Sequence, residues 1–278
     1  MLKVATWNVN SIRARIVNFV DWTKEYSPDL IMLQELRCNA EQFPSAEFED
    51  LGYNIEILGQ KARNGVAIFS KFPLYDVNST LPLYGLVQDD EDSRYLEASF
   101  DYHGKVIKVA SIYVPNGGPS AIDVRNGVED VSNTVNFSRK LKFFDRLKLK
   151  FEESVAANEM AFFSGDYNVC PNLSMDVYSV KKNGEITCTE EERKKFGELL
   201  EVGVGDIWRM LNPTLREYSW WGYRPYYMWE RNMGFRLDAI ITTPAATEIV
   251  KKCKIYSKET RGRKNASDHA PLMCLLTI

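Results

Sequence analysis

The sequence predicts an α/β fold, a sandwich of two β-sheets flanked by helices. The prediction rests on short β-branched runs at both ends of the 278-residue chain, on helical patterns between them, and on a spacing too uneven for a regular βα repeat.

In chain order, residues 3–7 read as a strand that runs out into Asn8. Residues 12–26 read as a helix, with Ile16, Phe19, Val20 and Trp22 on one face, closing before Ser27-Pro28. Strands follow at 30–33, ahead of Gln34-Glu35, and at 66–69, ahead of Ser70. Asp101-Tyr102-His103-Gly104 marks a hairpin turn leading into a strand at 106–114, so His103 is expected to have no catalytic role. Residues 137–153 form a strongly charged helix, and 160–164 a strand ending at Gly165-Asp166. A helix at 190–201 starts on Thr189, with Glu192 at capping-box spacing. Strands at 237–242 and 272–277 complete the set. The connections 81–93 and 115–136 are long, and long loops in a compact domain are often functional. Strands at both ends with helices between argue for one domain over residues 1–278.

A net charge of −3 shows no basic excess of the kind that marks many nucleic-acid binders, and it leaves room for an acidic metal site. Five cysteines, an odd number without CxxC spacing, argue against a disulfide framework or a structural zinc. No apolar run reaches the roughly 18 residues of a membrane span, and no signal-peptide pattern stands at the start. A cytoplasmic, membrane-free protein is expected.

Four motifs share one format, a buried strand running out into polar residues: Trp7-Asn8, Gln34-Glu35, Gly165-Asp166-Tyr167-Asn168 and Ser267-Asp268-His269. Strand ends are rigid places to hold reactive groups. Glu35, Asp268 and the amide of Asn8 are oxygen donors suited to Mg²⁺ or Mn²⁺, which would polarise a phosphoryl oxygen. Singly, each motif reads as a strand end or a turn. His269 lies next to Asp268, and Asp238 offers a carboxylate to orient its ring.

As an ordered set, Trp7-Asn8-Val9-Asn10, residues 28–35, Asn64-Gly65-Val66-Ala67, residues 164–169 and residues 267–272 resemble the endonuclease/exonuclease/phosphatase superfamily. The likeness spans nearly the whole chain and implies a four-layered α/β sandwich, two packed mixed β-sheets flanked by helices, with metal-dependent phosphoester cleavage. Residues 34–37, Tyr113-Val114-Pro115-Asn116-Gly117 and residues 232–238 further resemble the exonuclease III type of apurinic/apyrimidinic (AP) endonuclease. Arg37, where the family usually has Lys, Ala239, where a bulkier residue is usual, and Thr243, where Ser is usual, depart from its pattern.

That resemblance implies Mg²⁺, with Mn²⁺ able to substitute, bound by Glu35 with Asn8 and Asp268 close by or sharing it, and with Asp166 and Asn168 adjoining. It implies that Asp166 activates or orients the attacking water, that Asn168 helps place Asp166, that His269 supported by Asp238 contacts the phosphate, and that Tyr113 donates a hydrogen bond. Trp221 and Phe235 would line a pocket for the base-less sugar, with Asn116 also binding substrate; Arg94, in Asp92-Ser93-Arg94-Tyr95, is placed to reach a phosphate. The implied partner is double-stranded DNA carrying abasic sites or blocked 3′ ends; nothing in the sequence demands more than a monomer or an obligate protein partner. DNA also needs local positive charge, for which the candidates are Arg261 and Arg263, then Lys61, Arg63 and Lys71, and the 139–150 helix. Two other readings stay open: a superfamily relative acting on poly(A) or on inositol or sphingolipid headgroups, and a non-catalytic binding module.

Overall fold

The computed structural model describes residues 1–83, 92–119, 132 and 134–278, so most of the two long connections at 81–93 and 115–136 lies outside the described residues. The strands are β1 (Leu2–Asn8), β2 (Leu30–Gln34), β3 (Asn54–Leu58), β4 (Val66–Ser70), β5 (Tyr75–Asn78), β6 (Tyr95–Tyr102), β7 (Lys105–Tyr113), β8 (Ala161–Asp166), β9 (Gly205–Asp206), β10 (Asp238–Thr242), β11 (Val250–Ile255) and β12 (Leu272–Leu276). The longer helices are α1 (Ile16–Tyr26), α2 (Val135–Ala156) and α3 (Glu190–Leu200). The strands form two six-stranded sheets, ordered β11-β12-β1-β2-β4-β3 and β5-β6-β7-β8-β10-β9. Each is mixed, with one parallel pair near its centre, β1–β2 in the first and β7–β8 in the second.

Between the sheets, Val4, Leu30, Met32 and Ile68 meet Phe100, Val109, Phe162 and Ile240. The alternate residues face outward. Trp7, Ile31, Leu33 and Phe69 pack on Phe19 and Trp22 of α1. Ala110, Ile112, Phe163 and Ile241 pack on Phe143, Leu147 and Phe151 of α2 and on Phe196 and Leu199 of α3. The result is the four-layered α/β sandwich expected. Burial on both faces is why the central strands read as continuous apolar runs rather than as alternation.

The local signals hold where backbone chemistry dictates them. His103 and Gly104, both at positive φ (49° and 76°), turn β6 into β7. Thr189 and Glu192 form the reciprocal capping box that opens α3. The first helix begins later than its periodicity suggests, at Ile16 rather than at residue 12, because Asn10 and Ser11 take positive φ (45° and 82°) and Arg15 N–H closes a turn on Ile12 O at 3.1 Å. The short or lysine-bearing strands β3, β5 and β11 lack the apolar run that marked the others, since they lie at or near sheet edges with much of their surface exposed. Among the described residues, no helix is long and apolar enough to cross a membrane.

Register brings the motifs together. In the second sheet Tyr113, Asp166 and Asp238 stand in one row across β7, β8 and β10. In the first sheet Asn8 stands opposite Gln34 at the ends of β1 and β2. The rows meet at the same edge of the sandwich, where Asn8 Nδ2 donates to Asp166 Oδ2 at 2.9 Å. Gln34 serves the seam behind them, donating to Ser111 Oγ and Thr6 Oγ1, both at 3.0 Å.

Candidate active site

At this edge opens a cavity of about 550 Å³, lined among others by Glu35, Tyr113, Asn116, Asp166, Asn168, Asp268 and His269. Asp166 is buried at the tip of β8. Its Oδ2 accepts from Asn8 and, at 3.2 Å, from Asn168 Nδ2, while its Oδ1 accepts the Asn168 backbone N–H at 2.8 Å. Asn168 takes φ of 50°, which folds its side chain back onto Asp166 and Val114 O. Asn116 Nδ2 donates to Asn168 Oδ1 at 3.2 Å.

Gly165 sits where a Cβ would lie 1.9 Å from Ile112 O, so only glycine lets β8 lie this close to β7. The Asp238 carboxylate holds His269 Nδ1 at 2.8 Å, and His269 Nε2 lies 3.7 Å from Asp166 Oδ2. Burial opposes a charge on His269, but Asp238 and Asp166 outweigh it and push the imidazole up to about 10. Burial pushes Asp166 up to about 7, with His269 pulling it down and Asp238 adding to the rise. The arrangement is a relay in which Asp238 orients an imidazolium that faces the Asp166 carboxylate.

Because the folded state holds the His269 proton more tightly, the stability this gives is complete below the ordinary histidine value of about 6.5. It is lost as the pH rises through about 10. With only two histidines in the chain, imidazole NMR reads this directly. His269 is expected to remain imidazolium at pH 8, where a free histidine is neutral, and Asp238→Asn is expected to bring its midpoint down; a wild-type midpoint near 6.5 would contradict the relay.

The same cavity is lined by two further carboxylates, Glu35 and Asp268. Glu35, at φ of 61° just past β2, is paired with Arg37. Burial works against the Arg37 charge, but Glu35 outweighs it and raises the guanidinium. Asp268 accepts from Asn10 Nδ2 at 2.8 Å and from Trp220 Nε1 at 3.1 Å. Tyr113 is held protonated by burial, reinforced by Glu35 and Asp166, so its hydroxyl stays a donor.

Among the described residues, Asp166, Asp238 and His269 are the one carboxylate–histidine group whose ligand atoms lie within 4.8 Å of one another. The Asp238–His269 bond and the charge on that ring make the trio a proton-holding unit. Glu35 and Asp268, facing the same cavity, are left to offer hard oxygen atoms.

Several sequence expectations are corrected here. Trp221 is 1% exposed and does not line the cavity; its indole donates to Asn232 Oδ1, behind the wall. The wall itself is Trp220, Phe235 and Leu237, with the rings of Trp220 and Phe235 edge to face at 5.2 Å. The adjacent tryptophans point to opposite sides of an extended segment, so only one can face the cavity. Arg261 is buried and donates to Ser267 O and Trp221 O, which braces these loops rather than presenting a free charge. Arg263 is partnered by Glu25 at 3.0 Å. Arg94 lies 4.7 Å over the Tyr113 ring and 3.3 Å from Asp92. The basic helix α2 turns Lys140, Arg146 and Lys150 inward, so it is not a cationic face along its length. Sequence reading gave no individual role to Asn10, Trp220 or Leu237 and counted Lys140 only among the charges of the 139–150 helix; for Trp220 and Leu237 the period-2 alternation around Trp221 and Asp238 was the available signal.

Fold and site define a hydrolytic enzyme of the phosphoesterase class. The profile of the Endonuclease/Exonuclease/phosphatase family matches residues 5–269, and the chain belongs to that family, whose members are metal-dependent. It is 28% identical to exodeoxyribonuclease III of Haemophilus influenzae, over 98% of each chain. Its structure is similar to an AP endonuclease from Archaeoglobus fulgidus (TM-score 0.86, 32% identity, all of both chains). It is also similar to a 3′ phosphatase from Neisseria bound to a product DNA hairpin (TM-score 0.87, 29% identity, all of both chains).

Proposed function

We propose that the chain, working as one domain over residues 1–278 and as a monomer, is a DNA-repair phosphodiesterase. It hydrolyses the backbone 5′ to abasic sites in duplex DNA and processes blocked 3′ ends, with 3′→5′ exonuclease activity. One observation carries this reading: the cavity that holds Asp166 and His269 is also walled by Trp220, Phe235 and Leu237. Ionic chemistry beside an apolar aromatic wall suits a phosphodiester joined to a sugar that has lost its base. Relatives named for exodeoxyribonuclease, AP endonuclease and 3′ phosphatase activity support it.

The oxygen donors of Glu35, Asp268 and Asn8 fit a hard divalent cation, Mg²⁺ with Mn²⁺ able to substitute. Asp166 and Asn168 adjoin this set, and a carboxylate pushed up to about 7 by burial gains from a nearby positive charge. Bound there, the ion would neutralise charge on the phosphoryl and leaving oxygens. Asp166 takes the proton of the attacking water or orients it, held by Asn8 and Asn168. The His269 imidazolium and the Tyr113 hydroxyl donate to the phosphate oxygens as charge builds. Every role is positioning or electrostatic stabilisation, which dominates phosphoryl chemistry.

The test is a duplex carrying a single abasic analogue, incubated with Mg²⁺ or with EDTA. Cleavage 5′ to the lesion with metal, and none with EDTA, is expected. Cleavage that persists in EDTA, or turnover confined to poly(A) or inositol phosphates, would overturn the proposal.

A further inference from the structure

Lys140 lies on α2, is fully buried, and pairs with the equally buried Glu192 of α3. Its ammonium donates to two backbone carbonyls besides, Asn168 O at 2.6 Å and Asn116 O at 3.0 Å. These belong to the turns that follow β8 and β7 and bear the cavity residues Asn168 and Asn116. Glu192 holds part of the cavity's lining, accepting the N–H of Thr187, a lining residue at φ of 72°. Gly117, at φ of 82°, packs so closely on the lysine that a Cβ would lie 2.8 Å from Lys140 Cδ.

We propose that Lys140 is a positioning residue for the hydrolysis: its single ammonium clamps the Asn116 and Asn168 turns together from beneath, and Glu192 ties that clamp to Thr187. The idea rests on the phosphodiesterase reading above. An isolated buried charge is costly, and a lysine whose three N–H donors all have acceptors is well matched to its site. The positive φ of Asn168 and Thr187 is the kind of backbone conformation that persists only where surroundings hold it. Both residues have such a hold through the Lys140–Glu192 pair. Loss of the clamp would leave the Asn116 and Asn168 carbonyls without this donor and free the Asn168 amide to move from Asp166. Displacement of about 1 Å in such a site can cost roughly 100-fold in rate.

A control lies on the same helix: Lys150 is also buried and pairs with Glu97 at 2.8 Å, and neither residue lines the cavity. Lys140→Met, Lys140→Arg and Lys150→Met are compared with wild type on the abasic duplex with Mg²⁺, well below each melting temperature. Lys140→Met is expected to lose about 10- to 100-fold in kcat with KM nearly unchanged. Lys140→Arg, whose longer planar head cannot address the three acceptors in the same way, is expected to fall between it and wild type. Lys150→Met should melt lower yet keep its kcat. Folded Lys140→Met with the kcat of Lys150→Met would overturn the proposal; if Lys140→Met does not fold, Lys140→Arg at wild-type kcat would do so. Failure of the wild-type enzyme to cleave the duplex would instead count against the phosphodiesterase reading.

Discussion

Asp166→Asn is expected to lower kcat on the abasic duplex by about 10²- to 10⁴-fold, the usual contribution of a positioned acid–base group, while duplex affinity holds or rises. The substitution keeps shape and removes one charge, so the effect is chemical. Asp166 is an acceptor on every side, taking Asn8 Nδ2 and Asn168 Nδ2 on one oxygen and the Asn168 N–H on the other. An amide has one oxygen and one donor nitrogen. Whichever way it is turned, the nitrogen faces a donor already in place. His269 also loses one of the carboxylates that hold its charge. Affinity does not suffer, because a negative charge is removed from a place where a phosphate must sit. The melting temperature should not fall much, since burial disfavours the ionised carboxylate and its removal relieves that cost. Near-normal turnover in Asp166→Asn would remove this residue from the chemistry.

Gly165→Ala is expected to be the most damaging added methyl among the described glycines, for a reason unrelated to charge. The added Cβ would meet Ile112 O at 1.9 Å and Ile112 C at 2.7 Å, both backbone atoms of the neighbouring parallel strand. No rotamer change can relieve that contact; β7 and β8 must move apart. The loss is placed at or above about 3 kcal/mol, the upper end for overpacking. Chemical denaturation measures the stability directly. The same separation would pull Asp166 from its row with Tyr113 and Asp238, so any folded fraction should also turn over slowly. A variant with wild-type stability and kcat would show that β8 has slack the geometry does not suggest.

The sequence alone made the polar residues at this edge of the sandwich legible. Asn8, Glu35, Asp166 and Asn168 were legible because each ends or follows an apolar run, and Asp268 and His269 because they stand just ahead of the last one, Leu272–Leu276; strands buried on both faces leave such runs. It also determined the local devices, the His103-Gly104 hairpin and the Thr189–Glu192 cap, whose chemistry is complete within a few residues. What surrounds those groups was settled only by tertiary structure. Alternation puts Trp220 and Trp221 on opposite sides of their segment, but which side faces the cavity depends on how the folded chain turns that segment. Whether a lysine or arginine is a free charge for DNA or an internal brace depends on partners far off in sequence, as with Lys140 on Asn168, Arg261 on Trp221 and Arg263 on Glu25. Likewise, the lift of His269 to about 10 comes chiefly from carboxylates 31 and 103 residues away in the chain, with the adjacent Asp268 adding less. A sequence displays each residue's chemistry and its local period; folding alone decides which distant group stands within a few ångströms, and that distance sets its charge and its role.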